Sequence, residues 1–343
     1  MSYKRQSNIE LLRIFAMFCI ITYHLLIFGL NPQNPDVVLY KALQIPLHIG
    51  VPLFVMISGY FGIKFSFRGL LRLLSKFYIF IVPLTLIPAL YNGAGIKDIF
   101  ERILPLGFNN LWYINCYLYL FLLSPVINHF LKDINLKQRI YLFTILSFMS
   151  IYIGNITQGD PSLVDGKNLT NFILLYLVGN TIRHYQIQIN KISGIKLTIV
   201  YIILNILLVL GFMYVPIVAG KIWKYSFGYC SPLIYVNCIL VFMLFSKIRV
   251  NSKYINILGG SIYVCYLLQC PAIIWDNLYL SPVLAADKWL NNPCLTLLFI
   301  SLFAIIAIHA CTLIDNLFSF IWKSIDKYAI TLDEKYKIRD IAK

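Results

Sequence analysis

Ten long apolar runs with almost no charge inside them decide what this chain can fold into. They lie at about 11–30, 46–63, 72–91, 111–131, 140–156, 169–184, 197–216, 227–246, 255–275 and 294–315. About 20 consecutive apolar residues are what a helix needs to cross the hydrocarbon core of a bilayer. We therefore expect an all-α, polytopic integral membrane protein with about ten transmembrane helices. The runs at 140–156 and 169–184 are the weakest, because each is close to the shortest crossing length. Only 13% of the 343 residues are charged, against roughly 25% in a soluble domain, so no sizeable soluble catalytic domain fits beside the spans. Residues 1–322 read as one transmembrane unit and 323–343 as a charged cytoplasmic tail. The first run is interrupted by Arg13 and shows no small-residue cleavage pattern; it reads as a retained first helix, not a signal peptide.

The formal net charge of +15 would suit a nucleic-acid partner, but its distribution follows membrane topology instead. Twenty-one of the 29 Lys and Arg fall on one set of alternate loops and seven on the other. Cytoplasmic loops accumulate Lys and Arg, so both termini are expected on the cytoplasmic side, with membrane lipid and no nucleic acid as partner. The segment holding Lys221 and Lys224 breaks the pattern. The eight cysteines lie mostly in apolar runs without metal-ligand spacing and read as small buried hydrophobes. No P-loop, GxSxG or zinc motif is present, and no metal is expected.

Chemistry in such a chain rests on ionisable groups inside or beside the spans. Arg13 and His24 share the first run, 11 positions apart, which places them on one helical face roughly 16 Å apart along the axis. Arg13 suits an interfacial cation as well as a functional one. His24 lies deeper, where an imidazole can take a proton from a hydroxyl near neutral pH. Glu10, three residues before Arg13, orients it or serves as an acidic residue in the first helical turn. Arg68, Arg72 and Lys76, spaced i, i+4, i+8, put three cations on one face. That pattern fits a topology signal against anionic headgroups and equally a clamp for phosphates. Ser58 with Gly59 suits close helix approach, and Trp112 with Tyr113 an interfacial aromatic belt. His48, His129 and His184 are placed near span ends, where a wet imidazole needs no special account, and His309 falls inside the last run.

Several of these segments carry a resemblance. Ile9-Glu10-Leu11-Leu12-Arg13, with His24 eleven residues after Arg13, resembles the first helix of membrane acyltransferase family 3. Pro52 to Tyr60, with its Ser58-Gly59-Tyr60 ending, resembles that family's second helix. Leu111-Trp112-Tyr113 through Leu123-Ser124-Pro125 and Ser261-Ile262-Tyr263 through Leu268 resemble later ones. The order of these pieces covers nearly the whole chain. The chain departs from the family pattern in having Gln269 where a late His is common, and in spacing Arg68 and Arg72 four apart where three is common. The resemblance implies an integral membrane O-acyltransferase of the bacterial cytoplasmic membrane, moving an acetyl group from acetyl-CoA to a hydroxyl of a surface or lipid-linked polysaccharide. In that reading His24, Arg13 and Glu10 are catalytic, with His24 the general base or transient acyl carrier. Arg68, Arg72 and Lys76 hold the acyl-CoA donor, and Ser58, Trp112, Tyr113 and Gln269 contact substrate. A transporter or flippase for a glycan intermediate is the rival class, and another acyl group such as succinyl suits the same fold.

Overall fold

The computed structural model of the chain describes residues 5–30, 37–104, 111–214, 228–290 and 292–336. Lys221 and Lys224, the exception to the charge pattern, lie outside the described residues. Among those described, the architecture is all-α. The elements used below are α1 (Ser7–Phe28), α2 (Val37–Leu47), α3 (Gly50–Phe61), α4 (Phe67–Tyr91), α5 (Ile96–Ile103), α6 (Trp112–Asp133) and α7 (Leu136–Ser147), which runs on as a wider π-type turn over Phe148–Thr157. They continue with α8 (Leu169–His184), α9 (Gly194–Tyr214), α10 (Pro232–Lys247), α11 (Lys253–Gln269), the segment α12 (Ala272–Leu290), α13 (Pro293–Leu317) and α14 (Ser319–Tyr336).

Seven of these helices, counting α2–α3 and α7 with its π-type extension as one span each, are long and apolar enough to cross a membrane. An eighth is added if α11 and α12, bent by 96° at their break, count as one. The other two of the ten apolar runs become α8 and α10, helices of 16 residues each; at 1.5 Å per residue each reaches about 24 Å, short of the roughly 30 Å hydrocarbon core. The run placed at 140–156 belongs to a 22-residue crossing helix, Leu136–Thr157. The run placed at 46–63 starts earlier, because Val38–Phe61 forms one 24-residue span with Pro46 inside it.

Helix ends follow local chemistry. Ser66 caps α4 by accepting from the Gly69 N–H at 3.0 Å, and Asn135 with Gln138 closes a capping box at α7. Asn168 caps α8 through the Asn171 N–H. The ends of α4, α7 and α8 are thus fixed by side chains that satisfy otherwise orphaned amides.

The interior is organised around α1, which packs against α2, α3, α10, α11 and α13. The closest approach is between α3 and α8. A Cβ at Gly59 would overlap the Tyr176 carbonyl oxygen, and one at Gly179 the Met56 carbonyl, so the two backbones touch where small residues let them. Tyr176 Oη then accepts from the Ile63 N–H at 2.8 Å and donates to Asn128 Oδ1 at 2.6 Å, tying α3, α6 and α8 together. The outer faces of α9 and α13 expose rows of Ile and Leu, among them Ile203, Leu207, Leu302 and Ile306, the surface expected against lipid rather than water.

Candidate active site

The stripe of α1 at Arg13, Met17 and Ile20 forms one wall of a cavity of about 310 Å³. Ser58 of α3, Arg72 and Lys76 of α4, and four tyrosines line it as well: Tyr113 and Tyr117 of α6, Tyr263 and Tyr266 of α11. Aromatic walls with cations on one flank make a pocket fit for a long ligand with an anionic end and an apolar arm. The stripe exists because 13, 17 and 20 recur at helical spacing, and its next member is His24.

Every cation at the cavity has a carboxylate partner. Glu10, 4% exposed, receives Arg13 Nη1 on both oxygens at 3.1 Å, and the guanidinium lies 5.9 Å from the Phe61 ring centre. Arg13 is thus held by a carboxylate one turn before it on the same helix. Glu10 is itself held where α11 crosses α1: a Cβ at Gly259 would strike its carboxylate. Lys76 Nζ donates to Asp315 Oδ1 at 2.7 Å and sits 5.0 Å from the Trp322 ring centre. The Trp322 indole donates to the same Oδ1 at 2.9 Å. Arg68 and Arg72 both donate to Asp326 Oδ2, Arg68 at 2.7 Å. Burial pushes the Asp326 carboxyl up, but the hydrogen bond from Arg68 and the charges of both guanidinia more than offset this and hold it below the ordinary carboxylate value. Two guanidinia on one carboxylate leave a surplus positive charge at this end of α4.

His24 is not on the cavity wall. Its ring meets Trp275 edge-on at 5.8 Å and lies 5.7 Å from Tyr23. Tyr23 meets His48 at 4.7 Å, His48 stacks on Tyr229 at 4.2 Å, and Tyr229 lies 5.2 Å from Trp112. Trp112 adjoins Tyr113 at 6.0 Å. A continuous series of rings therefore connects the surroundings of His24 to the tyrosine wall of the cavity.

Of the residues singled out from the sequence, the cavity brings together Arg13, Ser58, Arg72, Lys76 and Tyr113, with Glu10 directly behind Arg13. Arg68 sits a turn before Arg72 without lining the cavity, and Trp112 lies behind Tyr113 with Lys167 5.9 Å from its ring centre. Ser58 Oγ donates to the Phe54 carbonyl at 3.0 Å, so its proton is engaged within its own helix. Gln269 is buried against α1: Nε2 lies 3.2 Å from both Met17 Sδ and the Cys265 carbonyl oxygen, while Oε1 has no hydrogen-bond partner among the described residues.

His48 departs from the sequence expectation. Because the second span begins at Val38, position 48 falls in its middle, and the imidazole is 5% exposed. Asp315 and Asp326 were also missed, since nothing in a linear pattern pairs the end of the last apolar run with the basic face of α4. Tyr117, Tyr263 and Tyr266 were indistinguishable from ordinary span aromatics. Among the described residues no three His, Cys, Asp or Glu side chains are grouped to hold a metal ion.

A family model described as an acyltransferase domain matches residues 6–314. The match takes in the whole cavity lining, His24 and Gln269, and stops before Asp315 and α14. No curated protein and no solved structure matches the chain. With a helical bundle built for a membrane and a match over most of its length, the chain belongs to acyltransferase family 3, a family of membrane acyltransferases.

Proposed function

We propose that the protein is an O-acyltransferase of the bacterial cytoplasmic membrane that moves an acetyl group from acetyl-CoA to a hydroxyl of a cell-surface or lipid-linked polysaccharide. The observation that carries this reading is the stripe on α1: Arg13, Met17 and Ile20 line a cation-flanked cavity, and His24 stands one turn past its end. With the N-terminus cytoplasmic, the basic flank faces the compartment that holds acyl-CoA. Arg68, Arg72 and Lys76 receive the donor phosphates, and the thioester arm runs along the tyrosine wall toward His24.

The chemistry follows from the spacing. Arg13 and His24 are about 16 Å apart, too far to act on one atom, so Arg13 belongs to the donor-holding half. His24 takes the proton of the acceptor hydroxyl as its oxygen attacks the thioester carbonyl. The new O–C bond forms, the C–S bond breaks, and the thiolate leaves to be protonated as free thiol.

The test is NMR of surface polysaccharide from cells lacking the protein, complemented with wild type or His24→Ala at matched membrane levels. O-acetyl signals should vanish on deletion and return with wild type alone. Full acetylation with His24→Ala overturns the mechanism. Loss of another acyl group corrects the donor, and failure of glycan export without any acyl change favours a transporter.

A further inference from the structure

We propose that Asp326, on α14 and beyond the residues matched by the family model, is a positioning residue for the anionic end of the donor: its carboxylate gathers Arg68 and Arg72 into one phosphate-reading pair. The inference rests on the donor reading above.

Arg68 and Arg72 stand one turn apart on α4 with side chains 51% and 46% exposed. Two neighbouring guanidinia repel each other, and each long side chain loses rotamer freedom when it is held in one place. A shared carboxylate removes both difficulties. Asp326 Oδ2 accepts from Nη2 of each, so the two forks are brought to a common point while each keeps its other N–H donors for a ligand. The carboxylate is itself firmly placed. Its side chain is 11% exposed, and it lies on the buried face of α14 between Trp322, anchored on Asp315, and the fully buried Ala329. Arg72 lines the cavity, so the assembled pair stands on its cationic flank, and the surplus positive charge calls for an anion. Arg forks brought together in this way suit phosphate oxygens.

The test uses purified full-length protein in detergent and two probes: acetyl-CoA, and acetyl-pantetheine, which carries the same thioester arm without phosphates. Asp326→Asn should weaken acetyl-CoA binding about tenfold, the scale of one lost hydrogen bond to a charged group, and leave the binding of acetyl-pantetheine unchanged. Asp326→Glu, which restores the charge, should recover most of the loss. Unchanged acetyl-CoA affinity in Asp326→Asn overturns the inference, as does an equal loss for both probes, which marks a merely structural role. Absence of acetyl-CoA binding by the wild type overturns the donor reading and this inference with it.

Discussion

At the scale of single residues, the proposed mechanism divides one helix between two tasks, donor binding at Arg13 and proton transfer at His24, and kinetics can separate them. In the proposed mechanism Arg13, held by Glu10 on the cavity wall, contributes binding that is the same in ground and transition states. Arg13→Ala should raise the KM for acetyl-CoA about tenfold or more with a smaller change in kcat. His24→Gln should do the reverse, lowering kcat by roughly 10²–10⁴-fold, the usual worth of a positioned general base. Steady-state transfer assays on the two variants check both, and a His24 variant altered in KM alone would remove it from the chemical step. The buried Lys76–Asp315 pair, with side chains 10% and 9% exposed, answers a different question. Lys76→Met leaves a buried carboxylate without its cation and should cost about 3–5 kcal/mol, whereas Lys76→Met with Asp315→Leu should cost much less. Thermal unfolding of the two variants in detergent measures the difference.

Among the described elements, the crossing of α3 and α8 is the tightest joint and the one least tolerant of added volume. Gly179→Leu would drive a side chain into the Met56 carbonyl and should destabilise the protein by at least the roughly 1–3 kcal/mol typical of overpacking. Gly211 on the lipid-facing α9 has nothing within 4 Å of a built Cβ. Gly211→Ala should be neutral or stabilising by up to about 1 kcal/mol. Detergent unfolding curves of the two variants check the contrast. The run at 169–184 was a weak reading from sequence because it is close to the shortest crossing length, and Asn171, Asn180, Thr181 and Arg183 also interrupt its hydropathy. Their partners, such as Tyr235 for Asn171 and Arg139 for Asn180 and Thr181, come from distant parts of the chain.

For the whole molecule, the expected topology is testable with thiols. Cys294, at the start of α13, is the one exposed cysteine among the described residues, and Ser324 lies on the exposed face of α14 past the other end of that span. A membrane-impermeant maleimide applied to intact cells should label Cys294, and Ser324→Cys in a Cys294→Ser background only after permeabilisation; the opposite pattern would place both termini outside. Seven or eight of the ten spans and the cation stripe were legible in the sequence because apolar length and helical spacing are local properties. His24 and Arg13 were legible for the same reason, as ionisable groups interrupting an apolar run. What escaped was pairing between distant elements: the carboxylates Asp315 and Asp326 that meet α4, the three tyrosines that join Tyr113 in the cavity wall, and the burial of His48, which follows from the second span starting at Val38.

The backbone contact between α3 and α8 also bears on how the protein is made. At 16 residues, with polar side chains along it, α8 has too little apolar length to hold itself in lipid, and its favourable place exists only once α3 is there. The contacting positions Ile63 and Tyr176 are 113 residues apart, so α3 must wait in the bilayer while four further elements, α4 to α7, are synthesised. Until α8 arrives, the face around Gly59 stays open to lipid. The order of synthesis is thereby part of the fold, and a chain truncated before α8 would present that open face to the quality-control machinery of the membrane.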